Sequence, residues 1–286
     1  MIRSILLWIL AIIITVICLK FQDKTGPTYP LEGNLSVGDE TIHFKFLRSE
    51  NIGTDLKIMF QDPVPVEVSG YVKYRRYKSL DEWTIVPMEA GSFEFKRRLV
   101  ADSVKGIGAE LPYLNERAGK YEFFVFYSTP GQEVISVTGD QPIYARYKAK
   151  VPGLVLLIHV LTIFLSMIFA IRTVLEAIVN GKFKWMIWAT IISFIIGGFI
   201  FGPMVQKYAF GVLWSGIPFG HDWTDNKVVF ELLFWIFAAY MNRGDRRNRW
   251  SVYFAGIATL LVYFIPHSIF GSEYNYITGT GHGTIG

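Results

Sequence analysis

The chain has 286 residues, 51% of them hydrophobic and 16% aromatic, with a mean hydropathy of +0.33. That balance is too apolar for a plain soluble domain. The formal charge is +4, and the single cysteine, Cys18, excludes an intrachain disulfide and any cysteine-based metal finger.

The first apolar run is Ser4–Leu19. No small-x-small cleavage site follows it, and Ile17, just before Cys18, is too large for a lipoprotein signal, so residues 1–20 read as an uncleaved signal anchor. Residues 21–150 read as a soluble domain. Within them, residues 41–149 alternate apolar and polar in short runs such as TIHFKFL, VEVSGYVKYRRY and KYEFFVFYS, separated by turn signals including SG, TPG and TGD. Period-2 runs at this spacing predict an antiparallel β-sandwich. The domain holds 17 basic and 18 acidic residues and is close to neutral. Its cation-rich stretch YVKYRRYKSLDEW, residues 71–83, reads as a solvated strand face, with a partner-binding edge strand as the alternative.

Four more apolar runs follow in residues 151–270: Leu154–Ile171, Trp185–Phe201, Val228–Tyr240 and Trp250–Ile265. Crossing ~30 Å of hydrocarbon takes about 20 helical residues. The run from Val228 is short and gains length if its helix begins at Trp223, capped by Asp222. GGFIFGP, residues 197–203, interrupts the end of the run before it. The N-terminal residues and the loops after the second and fourth runs hold Arg3, Arg172, Lys182, Lys184, Arg243, Arg246, Arg247 and Arg249 against only Glu176 and Asp245. This is the positive-inside signature, so the basic excess marks topology and not a nucleic-acid partner. The N-terminus is thereby expected in the cytoplasm of a bacterial inner membrane. The β-domain, the loop GIPFGHDWTDNK (216–227) and the tail 271–286 are expected on the outer side.

AELPYLNERAGKYEFFVFYS, residues 109–128, resembles the E-to-F corner of immunoglobulin and fibronectin-III folds. The resemblance implies that the Tyr121 hydroxyl returns to the backbone upstream. It covers about 90 residues of the chain, without the disulfide of antibody domains and without an assignable core tryptophan. Sandwiches of this type bind proteins, sugars or nothing, so it implies no activity.

The fold class is therefore mixed: a five-helix transmembrane base with an inserted all-β extracytoplasmic sandwich. The topology gathers polar groups at the outer ends of the spans: His159, His221, Asp222, Asp225, Lys227, Glu231, His267 and Glu273. His282 lies in the final tail. Asp222 fits a helix N-cap, and Asp225 favours the positive end of the same helix. Glu231 lies within a span, where an ionised carboxylate is costly unless paired. Lys227, one turn earlier, is the expected partner. Imidazole and carboxylate together suit a transition metal on His159, His221 and His267. His159 and His267 are also placed to ligate a b-type haem. No HxxxH or HExxH spacing supports either. There is no GxSxG, Walker A or Rossmann fingerprint, which weighs against an enzyme; a membrane enzyme that uses His and Asp without a motif stays open, with nothing pointing to its substrate. The function expected is an accessory, assembly or recognition subunit of a larger membrane complex, its partners lipid and other membrane or periplasmic proteins. The alternatives are a metal- or haem-binding redox protein and a component that transports small solutes or ions.

Overall fold

The computed structural model describes every residue except 39, 66–67, 97–100, 221, 267–270 and 282–286. The chain divides into two compact units. One is helical and contains residues 1–27 and 150–272; the other is β-rich and contains residues 28–149 and 273–281.

The β-rich unit begins with β1 (Leu31–Val37), β2 (Glu40–Phe46), β3 (Ser49–Asn51), β4 (Leu56–Gln61) and β5 (Ser69–Arg76). It continues with β6 (Thr84–Pro87), β7 (Glu89–Lys96), β8 (Ala101–Leu111), β9 (Lys120–Ser128), β10 (Ile135–Ser136) and β11 (Ile143–Lys148). These strands form two sheets. One runs β1-β2-β4-β8-β7, and the other runs β3-β11-β9-β5-β6 with β10 beside β9. Every pairing is antiparallel except β3 with β11.

Alternation dictates which residues build the core. Successive side chains on a strand point to opposite faces, so one face of each strand can be wholly apolar. Ile42, Phe44 and Phe46 of β2 and Leu56, Ile58 and Phe60 of β4 are buried from the first sheet. Val72 of β5, with Tyr121, Phe123, Val125 and Tyr127 of β9, is buried from the second, and all belong to one core. The Tyr121 hydroxyl donates to the Pro112 carbonyl at 2.9 Å, nine residues upstream. The alternate residues face away from this core. Tyr71 stacks on Phe126 with ring centroids 4.8 Å apart, and the Arg75 guanidinium lies 4.5 Å from the centroid of Trp83. The tryptophan of this domain therefore belongs to a cation-bearing sheet face. Arg75 also pairs with Glu122 at 2.6 Å.

Residues 271–286 do not form a separate tail throughout. β12 (Tyr274–Asn275) and β13 (Thr280–Gly281) make a hairpin within the β-rich unit. Tyr274 N–H donates to the Ala118 carbonyl at 3.0 Å and Tyr276 N–H to the Lys78 carbonyl at 3.1 Å.

The helical unit contains α1 (Ile2–Thr25), α2 (Gly153–Ile178), α3 (Lys184–Phe194), α4 (Gly202–Phe210), α5 (Trp223–Met241) and α6 (Arg249–Phe264). A π-helical turn, Ile195–Phe201, joins α3 to α4, so the third apolar helix runs unbroken from Lys184 to Phe210. The interruption expected at GGFIFGP is a change of helical register and not an end. Pro203 falls in the first turn of α4, where the missing N–H costs least. Among the described residues, three helices, Ile2–Thr25, Gly153–Ile178 and Lys184–Phe210, are long and apolar enough to cross a membrane. α5 begins at Trp223 with Asp222 at its N-cap, the Asp222 carboxylate accepting from Thr224 N–H at 2.8 Å.

α2 is the central helix and touches α1, α3, α4, α6 and the π turn. Arg172 on α2 is buried, pairs with Glu176 and lies 5.2 Å from the centroid of Trp8 on α1. The loops after α2 and α5 are tied together at one end of the unit. Arg249 donates to the Asn180 side chain at 2.6 Å, Arg247 to the Gly181 carbonyl at 2.8 Å and Lys184 to the Gly244 carbonyl at 2.6 Å. The cations of these two loops thus gather at a single end.

Close approach of β4 and β8 gives a direct test of the β-rich unit. A Cβ on Gly106 would overlap the Phe60 carbonyl oxygen and lie 2.9 Å from the Met59 methyl group. Gly106→Val is expected to destabilise the unit by about 1–3 kcal/mol, the usual cost of overpacking. Chemical denaturation of the full chain, followed by circular dichroism in the β region, measures it.

Candidate functional site: a polar chamber in the helical unit

A cavity of about 390 Å³ lies within the helical unit. Leu19 of α1, Leu156, Val160 and Phe164 of α2, and Phe210 of α4 give it apolar walls. His159, Gln206, Asp222, Asp225, Lys227 and Glu231 supply its polar lining. This volume and this mixture of surfaces are those of a small-molecule pocket.

Two of the acidic groups are spent on local structure. Asp225 Oδ2 accepts from Ser215 N–H at 2.6 Å, Gly216 N–H at 3.0 Å and the Gln206 amide at 3.2 Å. Asn226 Oδ1 accepts from Ile217 N–H at 2.8 Å. The Ser215 hydroxyl lies between the two carboxylates, 3.2 Å from Asp222 Oδ2 and 3.2 Å from Asp225 Oδ2. The first turn of α5 therefore reaches back to hold the loop that precedes it. Side-chain acceptors thereby satisfy backbone N–H groups of the loop that would otherwise lack a partner.

Lys227 and Glu231 are different. They are 5% and 2% exposed. Four residues apart, they lie on one face of α5, yet no ion pair joins them. Lys227 Nζ donates to the Ile265 carbonyl at 3.0 Å. Glu231 Oε1 accepts from Thr259 Oγ1 at 3.0 Å, and Thr259 in turn accepts from Trp235 Nε1 at 2.9 Å. The pairing expected from spacing gives way because each side chain finds a nearer partner on α6 or just beyond it. Thr259, Trp235 and Gln206, absent from the sequence-based site, are held there by contacts between helices that no local signal announces.

His159 enters from α2. Its Nδ1 lies 2.9 Å from the Gly197 carbonyl, so Nδ1 carries the proton. The same carbonyl accepts from Gly202 N–H across the π turn. Such turns are frequent at functional sites. A Cβ on Gly197 would meet Thr162 Oγ1 at 2.7 Å, which keeps this position small.

His221, His267 and His282 lie outside the described residues. Among the described residues, no three His, Cys, Asp or Glu side chains form a metal-binding group. Glu273 belongs to the β-rich unit, where it pairs with Lys78 and, at 3.0 Å, with Lys120. Comparison with protein-family models, curated proteins and solved structures finds no match to this chain.

The Glu273 pairings carry a pH signature. Burial works to raise its pKa, but the hydrogen bond from Lys78 and the charge of Lys120 outweigh that and hold the group below its ordinary 4.5. A carboxyl depressed on folding adds stability above its unfolded pKa, and the gain is lost as pH falls through the folded value. Denaturation of the full chain at stepped pH is expected to show stability falling below pH 4.5, with a shallower fall in Glu273→Gln. Equal slopes in the two proteins contradict the assignment.

Proposed function

We propose that the chain is an integral protein of a bacterial inner membrane that serves as a recognition or assembly subunit of a larger complex. In this reading five helices form the base, with α5 and α6 as the fourth and fifth spans. The N-terminus is cytoplasmic, and the β-rich unit is an extracytoplasmic sandwich of the immunoglobulin or fibronectin-III kind. The chamber holds a small ligand that the complex senses or requires.

The observation that carries this reading is the burial of Lys227 and Glu231 beside a cavity in a unit whose described residues include three helices long and apolar enough to cross a membrane. Ionisable groups inside membrane segments are costly, and where they persist they mark a site. Sidedness is supported by the two arginine-rich loops being tied together at one end of the helical unit, as the positive-inside rule requires. The sandwich reading is supported by the two sheets with one shared core and by the return of the Tyr121 hydroxyl to Pro112.

One experiment tests topology and partnership together. In a Cys18→Ser background, Ser136→Cys should react with an impermeant maleimide on intact cells, and Arg246→Cys only after permeabilisation. Mild-detergent extraction of the same cells should recover fixed protein partners. Reversed labelling rejects the sidedness, and a lone monodisperse chain rejects the subunit role.

A further inference from the structure

Lys227 and Glu231 leave bonding capacity directed at the chamber. The Lys227 ammonium has three N–H donors, and one of them serves Ile265. Glu231 Oε1 is engaged by Thr259, while Oε2 has no hydrogen bond among the described residues. Both groups line the cavity, and both are more than nine-tenths buried. An uncompensated charge in such surroundings is strongly unfavourable unless an opposite charge or donor reaches it. Here opposite charges stand one helical turn apart, facing a shared space, without closing on each other. Asp222 and Asp225 make no hydrogen bond to Lys227, their carboxylates accepting instead from Ser215, Gly216 and Thr224, and the charges of Glu231 and Asp222 act on the ammonium only through space.

We propose that the chamber binds a zwitterionic amphiphile, its anionic group on Lys227, its ammonium on Glu231 and its apolar part against Leu156, Val160 and Phe164. A ligand with one charge would satisfy one of these groups and strand the other. A ligand with none would strand both. His159 also lines the chamber, its Nδ1 held by the Gly197 carbonyl. The walls are apolar, so a bare polar zwitterion leaves them unfilled. Two sources share this chemistry: an aminophospholipid head with the start of its chains, and a free apolar amino acid. The inference deepens the ligand-holding reading of the chamber and rests on it.

The test is a tryptophan-fluorescence titration of the purified full chain in maltoside micelles. The probes are dihexanoyl phosphatidylethanolamine, free leucine, dihexanoyl phosphatidylmethanol and hexylamine. One zwitterion should bind saturably, about tenfold or more tighter than either singly charged probe, the factor expected when a charge-assisted hydrogen bond is lost. Binding of the phospholipid identifies a lipid source, and binding of leucine identifies a solute. Lys227→Met and Glu231→Gln should each weaken that binding by about tenfold or more. Val160→Trp is the variant that spares both charges. Val160 lines the chamber and is itself uncharged, so a larger ring there is expected to narrow the cavity while leaving Lys227 and Glu231 in place. It too should weaken binding, which decides the matter if either charge variant fails to fold.

Equal affinity for singly charged probes, unchanged binding in well-folded variants, or no zwitterion bound each overturns the proposal. Should labelling confirm the topology while no zwitterion binds, this inference alone fails. Should labelling reverse, the sidedness fails and the titration still decides the chamber chemistry.

Discussion

The arrangement of the helical unit turns on one constraint: Lys227 and Glu231 are buried in α5, which packs on the shorter apolar helix α6 and on α3, part of a helix long and apolar enough to cross lipid. A charge there must be met by dipoles, by an opposite charge or by something that enters from outside. The structure supplies part of each answer. The Ile265 carbonyl meets Lys227, and the Thr259 hydroxyl, oriented by Trp235, meets Glu231. The remainder opens onto the cavity. The π turn belongs to the same arrangement, because the Gly197 carbonyl it redirects is the one that orients His159.

The loop GIPFGHDWTDNK has a more local role than its cluster of polar groups implies. Asp222 caps α5, and Asp225 with Asn226 gathers the backbone N–H groups of residues 215–217. Its carboxylates are structural, and they fix the start of the helix that carries Lys227 and Glu231. A rigid start one turn before Lys227 is what places that ammonium reproducibly against the chamber.

Local rules made much of this legible in the sequence. Alternation identified the strands that carry Ile42, Phe44, Tyr121 and Phe123, because a strand buried on one face must alternate. Cap chemistry identified Asp222 and Trp223 as the start of α5, because an N-cap needs only its own next residues. What escaped depends on distant contacts. GGFIFGP reads as a helix break from composition, yet packing of Gly197 against Thr162 lets the helix continue through a π turn. Residues 271–286 read as an outer tail, yet the carbonyls of Ala118 and Lys78 seat Tyr274 and Tyr276 in the β-rich unit. The Lys227–Glu231 pair followed from helical spacing alone. The competing partners Ile265 and Thr259 are 38 and 28 residues away and left no local trace.

The central claim is that Lys227 and Glu231 act on each other across a shared chamber, although no hydrogen bond joins them. A double-mutant cycle on Lys227→Met and Glu231→Gln, read as unfolding free energy of the full chain in micelles, tests it most directly. The account predicts that the double variant is less destabilised than the sum of the singles, with a coupling above about 1 kcal/mol, as for groups sharing one network. Additive losses would show that each charge is accommodated separately and would contradict the claim.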